Sequence, residues 1–325
     1  MRVVVTGGAG FIGRAIVAHL AQLRHDVAAL VRDANKARHL AQDGVTLVPS
    51  DLSEGHESEL LRTMEGADGV IHAAGAYRVG IRAAERQQMW ESNVGTTQRV
   101  LDAAIAAGVP RTVYVSTNNV FGDTGGEIVD ETFQRDLGGG FLSWYDETKF
   151  RAHEAAIERI ARGAPVVIVQ PGQTYGPHDH SDASAQLELA HAGRLRYMVF
   201  GALGLAWVHV DDLAGVIVAA LDRGRLGEAY SLAGDCRRQG EAVAIAARIG
   251  GHRPPRLSVP TGLIRMMAPI NDLIGGLPGM PPNLAETLRA GGSVTYWASH
   301  EKATRDLGFE PRSLEQGVAD TWGRA

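Results

Sequence analysis

Through its first half the chain alternates short unbroken apolar runs with segments of helical periodicity. Residues 3–5, 27–31, 45–48, 69–72, 112–116 and 166–170 are rich in β-branched side chains and lack the polar alternation of a half-exposed strand. They predict strands buried on both faces, the condition of a parallel sheet covered by helices. Between them, residues 11–23, 85–107 and 146–161 carry helical spacing. Strand, helix and strand in succession predict a doubly wound α/β domain. After Pro171 the pattern breaks. Gly, Pro and His accumulate over residues 172–182, and later strands are short, which predicts a second, smaller α/β lobe. Residues 207–210, followed by an apolar helix over 211–221, predict a return to the first sheet between Leu205 and Tyr230.

The turn after the first strand reads Thr6-Gly7-Gly8-Ala9-Gly10-Phe11-Ile12-Gly13. Glycines at 7, 10 and 13 allow a tight turn, close backbone approach to a pyrophosphate, and close packing of helix on strand. The helix that opens at Phe11 and Ile12 presents unpaired N–H groups to the phosphates. The setting between strand and helix predicts a Rossmann-type dinucleotide site, rather than an ordinary turn in a Gly-rich chain. The second strand ends Leu30-Val31-Arg32-Asp33. An NAD site usually places a carboxylate there for the ribose 2′-hydroxyl, whereas arginine forks onto a 2′-phosphate. Val31 stands where the acid is expected and Arg32 follows, so NADP(H) is favoured. NAD(H) stays open because Asp33 can turn inward. The domain division expected is 1–172 plus 205–235 for the dinucleotide, and 173–204 plus 236–325 for the substrate.

Composition narrows the partners. A net charge of −5 with no basic run argues against nucleic acid. One cysteine, Cys236, excludes an internal disulfide and a thiolate zinc cage, which fits a reducing cytoplasm. The first strand begins at Arg2, which leaves no room for a signal peptide. The most membrane-like stretch, 261–280, is broken by Pro269, Gly275, Gly276 and Pro278 and carries Arg265 and Asp272. It predicts an amphipathic helix beside a pocket and no membrane partner. His178-Asp179-His180 lacks a convincing third ligand, so no metal is expected.

Tyr145 and Lys149 lie four apart at the start of a predicted helix, so both project from one face. Carbonyl reduction needs a proton as hydride arrives, and a free phenol near pKa ~10 releases one reluctantly. A neighbouring ammonium stabilises the phenolate. The chain has only three lysines, Lys36, Lys149 and Lys302, and prefers arginine elsewhere. A compact, tunable point charge is therefore placed where the chemistry wants one. A plain packing pair at this spacing is the bland alternative.

These motifs resemble the extended short-chain dehydrogenase/reductases, the NAD-dependent epimerase/dehydratase family, through to the C-terminus. Ser50-Asp51-Leu52 is similar to the family's adenine-contacting turn, and Ala73-Ala74-Gly75 to its small-residue segment along the cofactor. Asn93 matches a helix asparagine. His209-Val210-Asp211-Asp212-Leu213 and residues 302–309 match two late motifs. Segments 76–78, 170–172 and 227–230 carry a narrower likeness to dihydroflavonol-reductase-like and hopanoid-associated sugar epimerase-like proteins. The resemblance implies Thr117 as the catalytic hydroxyl beside Tyr145, and Lys149 on the nicotinamide ribose. It also implies cofactor contacts at Asp51, Leu52 and Pro171, a part in catalysis for Asn93 (a local hydrogen bond being the equal alternative), and a homodimer through helices near 85–107 and 146–161.

Three departures narrow the reaction. Dehydratases of the family carry an acidic pair after the catalytic threonine, whereas here Asn118 and Asn119 cannot exchange protons usefully. Nucleotide-sugar epimerases usually carry an arginine where this chain has Leu205, and a diphosphate without a cation is poorly held. No arginine clamp of the family's kind precedes the C-terminal segment either. The expected activity is reduction of a small-molecule ketone or aldehyde, or oxidation of the alcohol. Trp144, Tyr175, Tyr197, Met198, Phe200, Met266 and Met267 are available to line an apolar pocket. The alternatives are an epimerase without net redox, and a non-catalytic NADP-binding regulator.

Overall fold

Valines at the first strand meet protein on both sides, and the sheet they begin is the centre of the molecule. The computed structural model describes residues 1–259, 261–273 and 280–323, without the side chains of Leu263, Met267, Ile270, Asp272 and Leu273. Gly275, Gly276 and Pro278 of the expected breaks, and the side chain of Met267, lie outside the described residues.

The large sheet is built from β1 (Arg2–Thr6), β2 (Asp26–Val31), β3 (Val45–Pro49), β4 (Gly69–His72), β5 (Thr112–Val115) and β6 (Val166–Pro171), with a seventh strand from later in the chain. Its order is β3-β2-β1-β4-β5-β6 and then that last strand, all parallel. Val3 and Val5 enter a cluster with Ile16, Val17 and Leu20 of α1 (Phe11–Gln22). Val4 faces the other way, toward Leu60 and Met64 of α2 (Glu57–Met64). Both faces are thus covered, which is why the strands read as continuous apolar runs.

The single helix expected over 85–107 is broken. After α3 (Arg86–Trp90) a π-helical turn spans Glu91–Gly95 before α4 (Thr96–Ala106) begins. The hydroxyls of Thr96 and Thr97 donate to the carbonyls of Glu91 and Asn93, at 3.1 and 2.7 Å. Side chains that compete for carbonyls in this way widen the helix locally. Next, α5 (Trp144–Ala161) packs Ala152 and Ala156 onto Tyr114, Val166 and Ile168.

The smaller lobe contains β7 (Gln173–Tyr175), α6 (Asp182–His191), β8 (Tyr197–Met198) and β9 (Gly204–His209). The return to the large sheet, expected between Leu205 and Tyr230, comes at the end of that stretch, at Ala229. β9 pairs instead in the lobe's own sheet, and α7 (Val210–Arg223) leads back to β10 (Ala229–Leu232), which joins β6. The strand's period of two explains this: Trp207 packs with Tyr175 and Leu314 in the lobe, while the next residue, Val208, enters the large-sheet core. After β10 come β11 (Asp235–Arg238), α8 (Gln239–Ile249), β12 (Leu257–Ser258), α9 (Thr261–Leu273), α10 (Leu284–Gly291) and β13 (Thr295–Tyr296). The described chain closes with α11 (Glu301–Leu307) and α12 (Leu314–Trp322). Among the described residues no helix is long and apolar enough to cross a membrane.

One buried polar chain ties these pieces together. Thr97 gives its proton to Asn93, so it accepts from His72 Nε2–H at 3.0 Å, and His72 Nδ1 accepts from the Thr6 hydroxyl at 2.7 Å. The imidazole is fully enclosed, and burial, with the Lys149 charge, pushes its pKa down from 6.5 to about 3. A group depressed in this way binds a proton on unfolding, so its stabilisation is complete above pH 6.5 and is lost as the pH falls toward 3. Urea unfolding between pH 6 and 4 should therefore show a pH slope steeper by about 1.4 kcal/mol per pH unit in the parent than in His72→Leu. Parallel slopes would contradict a neutral buried imidazole.

Candidate active site

At the end of β1 the chain turns through Gly7, whose φ of +71° lies in the left-handed region. A Cβ at Gly7 would stand 2.7 Å from the backbone of Ala74, and one at Gly13 only 2.0 Å from the Gly7 carbonyl. Loop, helix and the segment Ala73-Ala74-Gly75 therefore touch through backbone alone. Gly10 is the N-cap of α1 and offers no side chain to the first N–H groups, those of Phe11, Ile12 and Gly13. Gly10 is exposed and Phe11 half-buried. A bare helix N-terminus behind a glycine turn fits a dinucleotide pyrophosphate.

At the neighbouring strand ends, Asp33 accepts the N–H groups of Asn35 and Lys36 at 2.9 and 3.2 Å, which commits one carboxylate oxygen to its own turn. Arg32 is exposed, and its side chain makes no hydrogen bond among the described residues. Its charge reaches Asp51, whose carboxyl is held below the ordinary range chiefly by the N–H and hydroxyl of Ser53, and then by His56 and Arg32. Leu52 is half-buried, and its carbonyl accepts from Arg99 at 2.9 Å. Pro171 is buried at the end of β6 opposite Leu232.

The reactive side chains gather where β5 ends. Lys149 is buried and donates to the Val115 carbonyl at 3.3 Å, and burial pushes its pKa down to about 8. Tyr145 is 9% exposed. Burial raises its phenol, the nearby Tyr77 adds to this, and the Thr117 hydroxyl pulls it back down. Thr117 also accepts the Asn119 N–H at 3.2 Å and donates to its Oδ1 at 3.1 Å. Tyr77 stands edge-on to Tyr145 with ring centroids 4.8 Å apart, and is 58% exposed. Although the residue as a whole is exposed, desolvation of its hydroxyl end, and then the carboxylates of Asp182 and Asp179, push its phenol up to about 12. The cleft above Tyr145 is thus aromatic and open to solvent.

The start of α5 is held on three sides. Ser143 caps it, with its hydroxyl accepting the Asp146 N–H at 3.1 Å. Arg135 forks onto both oxygens of Asp146 at 2.6 Å, with both side chains almost wholly buried. Glu286 of α10, 1% exposed, accepts the Trp144 N–H at 2.9 Å. Tyr145 sits between these anchored neighbours.

The structure thus gathers Thr117, Tyr145 and Lys149 at one place, and Gly7 with Ala73, Ala74 and Gly75 at another. Asn93 is not in reach of Tyr145 or Lys149 by its side chain. It accepts the Ala76 N–H at 2.7 Å and donates to the Ala76 carbonyl at 3.1 Å and to Thr148 at 2.9 Å, joining the loop after β4 to α5. Of the expected lining, Trp144 is half-buried with its indole N–H on the Arg86 carbonyl, while Tyr175 is wholly buried in the lobe core. Tyr197 and Met266 are exposed. Arg135, Glu286 and the His72 chain were not singled out as functional. An acid in the first helical turn is the one local signal, and it reads only as a dipole partner for the helix.

The model of the NAD-dependent epimerase/dehydratase family matches residues 3–233. A protein of Synechocystis sp. that carries the provisional name dihydroflavonol 4-reductase is 28% identical over 322 residues, which cover 97% of this chain and 92% of that one. The sterol demethylase protein B of Methylococcus capsulatus is 28% identical, over 98% and 97%. Among solved structures, a double mutant of a dTDP-glucose 4,6-dehydratase from Streptomyces venezuelae, with NAD bound, superposes with a TM-score of 0.78. It is 27% identical, over 99% of this chain and 96% of that one.

Arg135→Ala leaves the buried Asp146 carboxylate unpaired, so it should destabilise the fold by about 3–5 kcal/mol in urea unfolding. Asp146 follows Tyr145 directly, so turnover should fall in protein that remains folded. A loss under about 1 kcal/mol would show that the pair is solvated and does not hold the helix.

Proposed function

The chain belongs to the NAD-dependent epimerase/dehydratase family, and from that premise we propose that it is an NADP(H)-dependent reductase of a ketone or aldehyde, or, in reverse, a dehydrogenase of the matching alcohol. The observation that carries this reading is the set of groups around the reactive pair. Tyr145, Lys149 and Thr117 are joined by carboxamides, Asn118 and Asn119, where removal of water needs carboxylic acids. Asn118 is 1% exposed, and its Oδ1 accepts the Ser231 hydroxyl at 3.2 Å, which leaves it a structural part.

The large sheet is read as the dinucleotide domain and the smaller lobe as the substrate side. Gly7, Gly10 and Gly13 with the N–H groups of α1 would hold the pyrophosphate, Asp51 and Leu52 the adenine, and Ala73, Ala74, Gly75 and Pro171 the segment beyond. Bound nicotinamide supplies or receives the hydride. Thr117 and Tyr145 bind the substrate oxygen through their hydroxyls, and Tyr145 delivers or removes its proton. Lys149 holds a positive charge beside that phenol, and with its pKa near 8 it is still largely protonated at neutral pH. Asn93 positions α5 through Thr148. The 2′-phosphate of NADP would meet Arg32, which is free to bind, rather than Asp33, which is occupied by its turn. Apolar substrates fit the aromatic cleft of Tyr77 and Trp144. A homodimer through α4 and α5 would cover Ile105 and Ile157, 42% and 48% exposed.

Carbonyl compounds should consume NADPH stoichiometrically in an absorbance assay. An epimerase would interconvert substrate without consumption, and a regulator would bind NADPH without turnover. Tyr145→Phe should lower kcat about 10²–10⁴-fold while NADPH affinity is kept. Intact turnover would remove Tyr145 from the chemistry. Arg32→Ser should raise the KM for NADPH about tenfold or more and leave that for NADH nearly unchanged. Equal effects on both would remove the 2′-phosphate contact.

A further inference from the structure

The smaller lobe has an outer face whose chemistry the reaction does not use. Its floor is the two-stranded parallel sheet of β8 and β12, where Tyr197 pairs with Leu257 and Met198 with Ser258. The chain leading to each strand adds to it. Arg194 and Arg196 precede or flank β8, Arg253 and Arg256 precede β12, and Arg265 stands on α9. All five are exposed, and none of their side chains makes a hydrogen bond, ion pair or ring contact among the described residues. No Asp or Glu occurs over residues 189–203 or 251–271, in a chain whose net charge is −5. The two segments are locked side by side: the Val259 N–H donates to the Met198 carbonyl at 2.9 Å, and Gly193 lies under the His252 ring.

Among these cations stand large apolar side chains in water. Tyr197 is 57% exposed, Leu257 69% and Met266 77%. On α9 the buried positions Ala268 and Asn271 face inward, while Gly262, Arg265, Met266 and Pro269 are outward or exposed among the residues whose side chains are described. A surface helix normally turns charged or polar residues outward. Unpaired arginines without carboxylates, interleaved with apolar side chains, complement one surface: anionic headgroups above an acyl layer. Nucleic acid would match the arginines and leave the leucine and methionine unaccounted for. A second copy of this chain would have to bring five cations against five.

We propose that this face docks the protein peripherally on an anionic lipid bilayer, with Tyr197, Leu257 and Met266 entering the headgroup region and the five arginines meeting the lipid charges. The expectation of no membrane partner rested on the lack of a spanning segment, and surface docking needs none. The face adjoins the proposed cleft. α9 packs on α10, and α10 supplies Glu286 to the start of α5 and pairs with the Gly80 loop beyond Tyr77.

The test is co-sedimentation of the full chain with vesicles of phosphatidylcholine alone, and of phosphatidylcholine mixed equally with phosphatidylglycerol. Binding is expected to the mixed vesicles only, and it should fall as salt rises from about 0.1 M to about 1 M. Each arginine near an anionic surface is worth about fivefold in affinity, so R196S/R253S/R256S should bind about a hundredfold more weakly. L257S/M266S keeps every charge and should also bind more weakly. Both variants alter exposed residues that make no hydrogen bond or ring contact to Thr117, Tyr145 or Lys149 among the described residues, so thermal unfolding and NADPH turnover with a soluble carbonyl should match the parent. Failure to bind the mixed vesicles, or unchanged binding by the arginine variant, would overturn the proposal. So would an RNA or DNA duplex bound in place of vesicles, or a dimer that L257S/M266S splits. None of these results touches the proposed reduction, which the soluble assay reads separately.

Discussion

The buried ion pair between Arg135 and Asp146 decides where α5 begins, and the chemistry depends on where that first turn lies. A phenol at Tyr145 is useful only if its oxygen meets a substrate oxygen to within a fraction of an ångström. A helix end by itself frays. Here the backbone on either side of Tyr145 is fixed by partners far away in sequence: Ser143 as cap, Arg135 from the preceding loop, and Glu286 from α10. Arg135 further packs against Phe141 and Phe150, so the pair is sheltered from water as well as fork-bonded. The cost of burying two charges is offset by geometry that satisfies both carboxylate oxygens.

A second constraint works beneath the glycine turn. Thr6, His72, Thr97 and Asn93 form one run of hydrogen bonds from the end of β1, across β4, to the π-helical turn. The side chain of the same Asn93 grips the backbone after β4 and Thr148 of α5. The pyrophosphate cradle and the helix of Tyr145 and Lys149 are therefore parts of one rigid polar framework, with a neutral imidazole at its centre. Such a framework is stable only when every member is satisfied, and here each donor direction can be assigned.

The reactive groups themselves are set against each other by burial. The phenol is held protonated and the ammonium is partly destabilised, chiefly by burial, so each resists its charged form. A proton moves cheaply only within the assembled site, which suits a catalyst that works beside a reactive nucleotide. Beside the phenol, Tyr77 stands edge-on and exposed.

Much of this was legible along the chain, for a physical reason: the groups concerned are close in sequence and act through local geometry. Glycines at 7, 10 and 13, and tyrosine four before lysine, lie within a turn or two of each other, so the glycine turn and the placing of both side chains on one helix face could be read locally. The buried parallel strands likewise announce themselves, because both faces must be apolar. The return to the large sheet begins inside the expected stretch, but which strand makes it could not be read from Leu205 onward, since an apolar strand pairs equally well in either sheet and only packing selects. The helix over 85–107 was read as continuous, because two threonine hydroxyls taking carbonyls leave no mark on its periodicity. Arg135, Glu286 and His72 were invisible as functional residues, each acquiring its role from a partner dozens of residues away. The sequence by itself determined the elements, the glycine cradle and the reactive pair, all set by local sterics and charge. The tertiary structure alone decided what holds that pair in place, because buried charges and shared protons acquire meaning only when distant segments meet.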